Sequence, residues 1–167
     1  MAVTALSREI LAELHSGSPA DALPEVLEDV SMTVEREPLT EGGEVRGSTA
    51  VRVGQLRKIA RAKLALWGLS ALVEDAQLLI SELVTNGFRY GTQREVGLRL
   101  VICLELLVLE VDDGSPERPQ LRESSLDALN GRGLLLVSAL AESWGVSEDG
   151  KRTWCLLRVP APRQAHR

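Results

Sequence analysis

Apolar and polar positions along this chain follow two different periods. From residue 53 onward Val53, Leu56, Ile59, Ala60, Leu64 and Trp67 recur at steps of three and four, the mark of a helix with one buried stripe. Ser48 or Thr49 stands where an N-cap is expected and Gly68 where the helix should stop. A second helix is predicted from about Leu72 to Tyr90, with Leu72, Val73, Ala76, Leu79, Ile80, Leu83 and Val84 on its apolar face and Gly91 ending it. The texture then changes. VGLRLVICLELLVLEVDD is dense in Val, Leu and Ile and reads as two strands with a tight turn near Glu105. GSPERPQLRESSLDALNGRG is a polar loop, LLLVSALAESWG a third helix ending at Gly145, and KRTWCLLRV a final strand. This order predicts an α+β fold: a two-layer sandwich with one mostly antiparallel sheet covered by helices on one face.

The first 47 residues carry a weaker pattern. Leu6, Ile10, Leu11 and Leu14 give residues 4 to 15 helical spacing, an acidic segment runs from Pro24 to Val30, and Ser31 to Arg36 reads as a first strand. EPLTEGGEVRGST is a polar, glycine-bearing connector, which places a soft boundary near residue 47. The chain thus divides into an acidic, partly helical extension (1–47), a domain (48–159) and a short tail (160–167).

Composition narrows the class. With 167 residues, 44% hydrophobic and 26% charged, the chain is long enough for one domain with a sizeable core. Five aromatic residues mean that this core is aliphatic. The net charge of −5 argues against a direct nucleic-acid binder, which usually shows a basic face. Charge is uneven: residues 1–48 hold ten acidic and three basic residues, a net of −7, which leaves +2 for the rest. Cys103 and Cys155 lie in apolar segments without metal-ligand spacing and read as reduced core thiols, with a disulfide as the lesser alternative. No signal peptide opens the chain and no apolar run of about 18 residues occurs, so the expectation is a cytoplasmic protein without membrane contact.

Three polar features interrupt the core pattern. On the second helix Asp75, Leu78, Glu82, Asn86 and Arg89 share one stripe, so Glu82 and Asn86 point the same way beside the apolar face. Such a pair is either a solvated edge or a site: a carboxylate and an amide oxygen one turn apart can hold a hard cation such as Mg²⁺, and the carboxylate can take a proton from a hydroxyl. In VDDGSPERP, alternation puts Asp113 on the core face of its strand, with Glu110 and Asp112 outward. An inward carboxylate is costly unless something hydrogen-bonds it, as a purine amine would, and Gly114 admits a ligand close to the backbone. The alternative is a turn built from Asp113, Gly114 and Pro116. In NGRGLLLV, two glycines precede a helix, where backbone N–H groups suit phosphate.

Taken in order, SELVTN, VDDGSP and GRGLLLVSALAESWG resemble the GHKL ATPase superfamily, with its histidine-kinase-like ATP-binding fold, and most of all bacterial anti-sigma-factor serine kinases. The likeness spans roughly residues 48 to 159. It implies ATP and Mg²⁺ as cofactors, with Asn86 coordinating the Mg²⁺ and Glu82 as the general base. It implies that Asp113 accepts a hydrogen bond from the adenine amine with Gly114 beside the ring, that Gly131, Arg132, Gly133 and Leu134 frame the phosphates, and that residues 115 to 130 form a lid. It implies a sigma factor and an anti-sigma antagonist as protein partners, the antagonist being phosphorylated on serine; an inactive nucleotide-dependent binding module is the alternative. The only histidines, His15 and His166, lie near the termini, against a histidine kinase proper. Departures are visible too. Gly87 and Tyr90 stand where the family usually has alanine and often has histidine, and the aspartate box lacks its later glycine. Arg152 holds the place of the threonine usual near adenine, while Thr153 falls one residue late and, by strand parity, on the wrong side. The acidic extension reads as a solvated arm, or as a partner-docking or dimer-capping element of a homodimer, with Arg57, Lys58 and Arg61 on the first domain helix as one landing place.

Overall fold

The structure, a computed structural model, describes residues 26–103, 105–115 and 132–161. The helix expected over residues 4–15 and nearly all of the lid lie outside the described residues. The elements run β1 (Val26–Glu35), α1 (Gly47–Leu66), a 3-10 turn (Ser70–Leu72), α2 (Val73–Tyr90), β2 (Glu95–Cys103), β3 (Leu106–Asp112), α3 (Arg132–Leu140), β4 (Ser143–Val146) and β5 (Arg152–Arg158). The five strands form one sheet in the order β1-β2-β3-β5-β4, every pairing antiparallel. The expected α+β sandwich is what the chain forms.

Alternation along the strands sorts the sheet into two faces. Leu98, Leu100, Leu107, Leu109, Val111, Cys155 and Leu157 point to one side, where they bury against Val53, Leu56, Ala60 and Leu64 of α1 and Ala76, Leu79, Ile80, Leu83, Val84 and Phe88 of α2. The α2 stripe is thus the one its periodicity predicts. On α1 the stripe holds except at Ile59, which is 46% exposed because it falls at the margin of a face centred on Leu56 and Ala60. That helix stops as expected at Gly68, whose φ of +76° only glycine adopts freely. Gly68 N–H donates to Ala65 O at 3.1 Å and Leu69 N–H to Leu64 O at 2.8 Å, with Leu69 and Leu64 both buried: a Schellman stop with its hydrophobic contact.

Three expectations about elements need correction. The first strand begins at Val26 rather than Ser31, so the acidic Glu28 and Asp29 lie within it; pairing with β2 overrides their poor strand propensity. It also carries the sheet across the boundary placed near residue 47. Neither Ser48 nor Thr49 caps α1: the helix starts at Gly47, Arg46 is its N-cap without a side-chain bond, and Ser48 Oγ donates instead to Glu37 Oε2 at 2.6 Å. The third helix ends at Leu140, not Gly145. Glu142 N–H turns out to Leu156 O at 2.9 Å, and Ser143–Val146 becomes an edge strand on β5. Gly145 is what allows this, because a Cβ there would stand 2.5 Å from the Trp154 ring. Cys103 and Cys155 are free and buried on opposite faces of the sheet, which excludes a disulfide between them. Among the described residues, no helix is long and apolar enough to cross a membrane.

The connector is tied down at both ends. Arg52 bonds Glu35 O at 2.6 Å and pairs with Glu37 at 2.9 Å, and Arg36 Nε donates to Phe88 O at 2.9 Å in the last turn of α2, where a cation suits the helix dipole. Leu109, fully buried at the centre of the sheet beneath the helices, measures how much the sandwich depends on this contact. Leu109→Ala should cost about 2–5 kcal/mol in urea denaturation, the range for a buried leucine that leaves a cavity; a loss under about 1 kcal/mol would show that the helix layer collapses freely onto the sheet.

Candidate functional site

The site begins with the rim of α2. Because its apolar face is committed to the sheet, Glu82 and Asn86 fall at the edge of the buried surface, both half-buried. The N-terminus of α3 is brought against them. A Cβ on Gly133 would stand 2.5 Å from Glu82 Oε2 and 3.8 Å from Asn86 Nδ2, so the backbone of α3's first turn lies directly on the two polar side chains. A methyl here would push the Glu82 carboxylate aside, so glycine keeps the helix's early N–H groups beside a carboxylate and an amide. Leu134, the next residue, is buried in the core, which fixes the start of α3. Arg132 opens the helix, but its side chain lies outside the described residues, as does Gly131.

The second half is the end of β3. The register places Asp112 opposite Gly97 and Arg152, on the face away from the helices, where its carboxylate pairs with Arg152 at 3.4 Å. Asp113 therefore lies on the helix side. Its Cβ comes within 3.3 Å of the position a Cβ would take on Gly87 of α2 and 3.1 Å of that on Gly91. Asp113 is consequently one helical turn from Asn86 along α2. Its Oδ1 accepts a hydrogen bond from Ser115 N–H at 2.8 Å. Burial raises its pKa above the ordinary 3.8, the Ser115 bond opposes this, the neighbouring Asp112 charge adds to it, and Arg36 draws it back.

Residues 91–93 lock this strand end in place. Thr92 N–H and Gln93 N–H both donate to Asp113 O, at 3.1 and 3.3 Å, and Thr92 Oγ1 donates to Gly114 O at 2.7 Å. A Cβ on Gly91 would collide with Gly87 O, so the chain leaving α2 can pass this close only as glycine. Gly114 holds φ +67° and lies under the Gln93 side chain. Thr92, Gln93 and Arg36 were not singled out from the sequence; they act through backbone contacts and long-range charge, which no motif announces. Thr153 also differs from the sequence expectation. It sits opposite Val111, a core-facing residue, so it lies on the same side of the sheet as Asp113, while Arg152 faces away.

Glu82, Asn86, Asp113, Gly114 and Gly133 are thus gathered along the rim between α2, the end of β3 and the start of α3. The group fits a purine nucleotide: a half-buried acceptor at one end, and helix N–H groups with an amide oxygen at the other. The spacing is set by α2 itself, since Asp113 packs beside its C-terminal turn and Gly133 beside Glu82 one to two turns earlier. A model for the family described as histidine kinase-like ATPase domain matches residues 47–158, from the first residue of α1 to the last of β5 and well over half of the chain. No curated protein matches the chain.

Two outcomes follow from this geometry. Since Asp113's folded-state pKa is raised, the folded protein holds that proton more tightly than the unfolded chain. Asp113 therefore withdraws stability as pH rises from 3.8 through its folded value, and the loss is complete above it. Asp113→Asn keeps the Oδ1 acceptor and abolishes the titration, so in urea denaturation it should equal or exceed the parent at pH 7 and converge with it at low pH; a weaker variant at pH 7 would overturn this account. Gly133→Ala forces Glu82 off the start of α3 and should weaken nucleotide binding by at least about tenfold, measured by calorimetry, with a stability change of only about 1 kcal/mol.

Proposed function

The chain belongs to the histidine kinase-like ATPase family, and on that premise we propose that it is a serine kinase of the anti-sigma type, which holds a sigma factor and phosphorylates a serine on the factor's antagonist. ATP is the ligand that membership brings. The observation that carries the reading further is the convergence of Glu82, Asn86 and the first turn of α3 within a few ångströms, with Asp113 fixed further along the same rim.

Each residue then has a physical task. Asp113 accepts from the adenine amine, which offsets the desolvation that raises its pKa. Gly114 lets the ring approach the strand end. The N–H groups at the start of α3, framed by Gly131, Arg132 and Gly133, receive the phosphates. Asn86 would hold a Mg²⁺, whose charge would offset that of the phosphates. Glu82 orients the incoming serine hydroxyl and takes its proton as the new oxygen–phosphorus bond forms and the β,γ-anhydride bond breaks, leaving ADP. Arg57, Lys58 and Arg61, exposed together on α1, offer a basic surface to the protein partner.

Calorimetric titration with ATP and Mg²⁺ is the deciding measurement. The parent should bind saturably, and both Asn86→Ala and Asp113→Asn should weaken binding by about 1–3 kcal/mol, the cost of losing one buried polar partner. Glu82→Gln should keep binding while phosphate transfer to a purified antagonist falls by about 10²–10⁴-fold. Binding without any transfer by the parent would assign the domain to nucleotide-dependent protein contacts instead, and no binding would remove the kinase reading altogether.

A further inference from the structure

Arg36 stands just after β1 and before residues 47–158, which the family model matches, so membership assigns it no role. Strand parity nonetheless sends it to the site. Val30, Met32 and Val34 of β1 pack on the core beneath the helices, and Arg36 continues that even-numbered series. Its N–H donates to Arg94 O at 2.7 Å, which carries the pairing with β2 one residue beyond Glu35 and Glu95. Arg52 holds both its neighbours, by a bond to Glu35 O at 2.6 Å and an ion pair with Glu37 at 2.9 Å. The half-buried guanidinium meets the last turn of α2, where Arg36 Nε donates to Phe88 O at 2.9 Å. That carbonyl is one of those a helix end leaves without an intrahelical partner. Phe88 lies between Gly87 and Gly91, the two positions whose close approach seats Asp113: a Cβ on them would fall 3.3 and 3.1 Å from Asp113 Cβ.

We propose that Arg36 is a positioning residue for nucleotide recognition: it pins the last turn of α2 against the end of β3 and keeps the Asp113 carboxylate charged as the acceptor of the base amine. The inference rests on the reading of Asp113 as that acceptor and is independent of phosphate transfer. Burial raises the Asp113 pKa and the adjacent Asp112 charge adds to this, whereas Arg36 lowers it. The other ionisable groups on the surrounding elements are placed differently. Arg94, on the chain leaving α2, pairs with Glu35 at 3.1 Å, and Arg152 of β5 pairs with Asp112 at 3.4 Å on the outer face. Tyr90 of α2, Glu95 of β2 and Lys151, whose carbonyl accepts from Asp113 N–H at 3.1 Å, have exposed side chains. Arg89 is half-buried on α2, on the stripe of Glu82 and Asn86. Arg36 is thus the cation whose charge bears on Asp113. Without it the carboxyl takes a proton at higher pH, and a neutral carboxyl is the weaker acceptor for an amine.

The test compares ATP with inosine triphosphate, whose ring bears an oxygen in place of the amine. Both carry the same triphosphate and take Mg²⁺ alike, so the ratio of their affinities across pH isolates the base. By calorimetry on the full-length chain, the parent should prefer ATP and lose that preference as acid protonates Asp113. Arg36→Gln should lose it at a pH higher by at least about 0.5 unit. Arg36→Lys, which keeps the charge, should return the loss toward the parent's pH. Asp113→Asn should lack this acid limb, with or without Arg36→Gln. An Arg36→Gln variant that weakens both nucleotides equally, with the loss at the parent's pH, overturns the inference and leaves the nucleotide site standing. A parent that binds neither nucleotide, or both alike, removes Asp113 as the amine's acceptor and the inference with it. Should Arg36→Gln fail to fold, citrulline in place of Arg36 keeps the Nε–H bond to Phe88 O and removes only the charge, and the same shift decides.

Discussion

Burial of α2 against the centre of the sheet is the contact from which the other features follow. Ala76, Leu79, Ile80, Leu83, Val84 and Phe88 commit one side of this helix to the core, and the helical repeat then leaves no freedom for Glu82 and Asn86. They must lie at the rim, half in and half out, where a polar group can meet a ligand without the full cost of burial. The same burial carries the C-terminal turn of α2 to the end of β3, so the positions of the general-base candidate and of Asp113 are two consequences of one packing event. A nucleotide spanning them would be held by groups whose separation cannot drift unless the helix slides on the sheet.

Close approach of backbones does the rest. Gly91 allows the chain leaving α2 to run against Asp113, where Thr92 and Gln93 hold the Asp113 carbonyl, and Gly133 allows α3 to begin on Glu82. A methyl group on Gly91 would meet backbone and separate the two elements, whereas one on Gly133 would displace the Glu82 carboxylate. Asp113 shows the cost of this arrangement. Its desolvated carboxylate works against the fold at neutral pH, because burial raises its pKa. Arg36, anchored to the carbonyl of Phe88, moderates that cost by its charge and also links the end of β1 to the site.

The N-terminal extension is therefore more than an appendage. Its strand β1 closes one edge of the sheet, Arg36 just after it bears on Asp113, and Val26 at its start packs on the outer-face cluster. A sandwich with helices on one side has two sheet faces to satisfy, and here the outer one sets the apolar Val101, Cys103, Val108, Trp154 and Leu156 beside charged pairs, Arg99 with Asp29 and Arg152 with Asp112.

Local pattern was enough for the parts of this protein governed by neighbours in the chain. The α2 face, the β2–β3 pair and the shared direction of Glu82 and Asn86 follow from periods of 3.6 and 2, which the backbone imposes on any sequence, and the Gly68 stop follows from the positive φ open to glycine. The inward aspartate was legible for the same reason, since strand parity separates Asp113 from Asp112. Other features depended on partners remote in sequence. Whether Val26–Val30 became a strand rested on pairing with β2. Whether Ser143–Val146 left the helix rested on β5 and on room for Gly145 beside Trp154. The side on which Thr153 points came from its register with Val111, and the meeting of Gly133 with Glu82 came from the packing of α3 against α2. Each of these is a choice between locally similar conformations, and the energy that decides it comes from surfaces that exist only once the chain has folded.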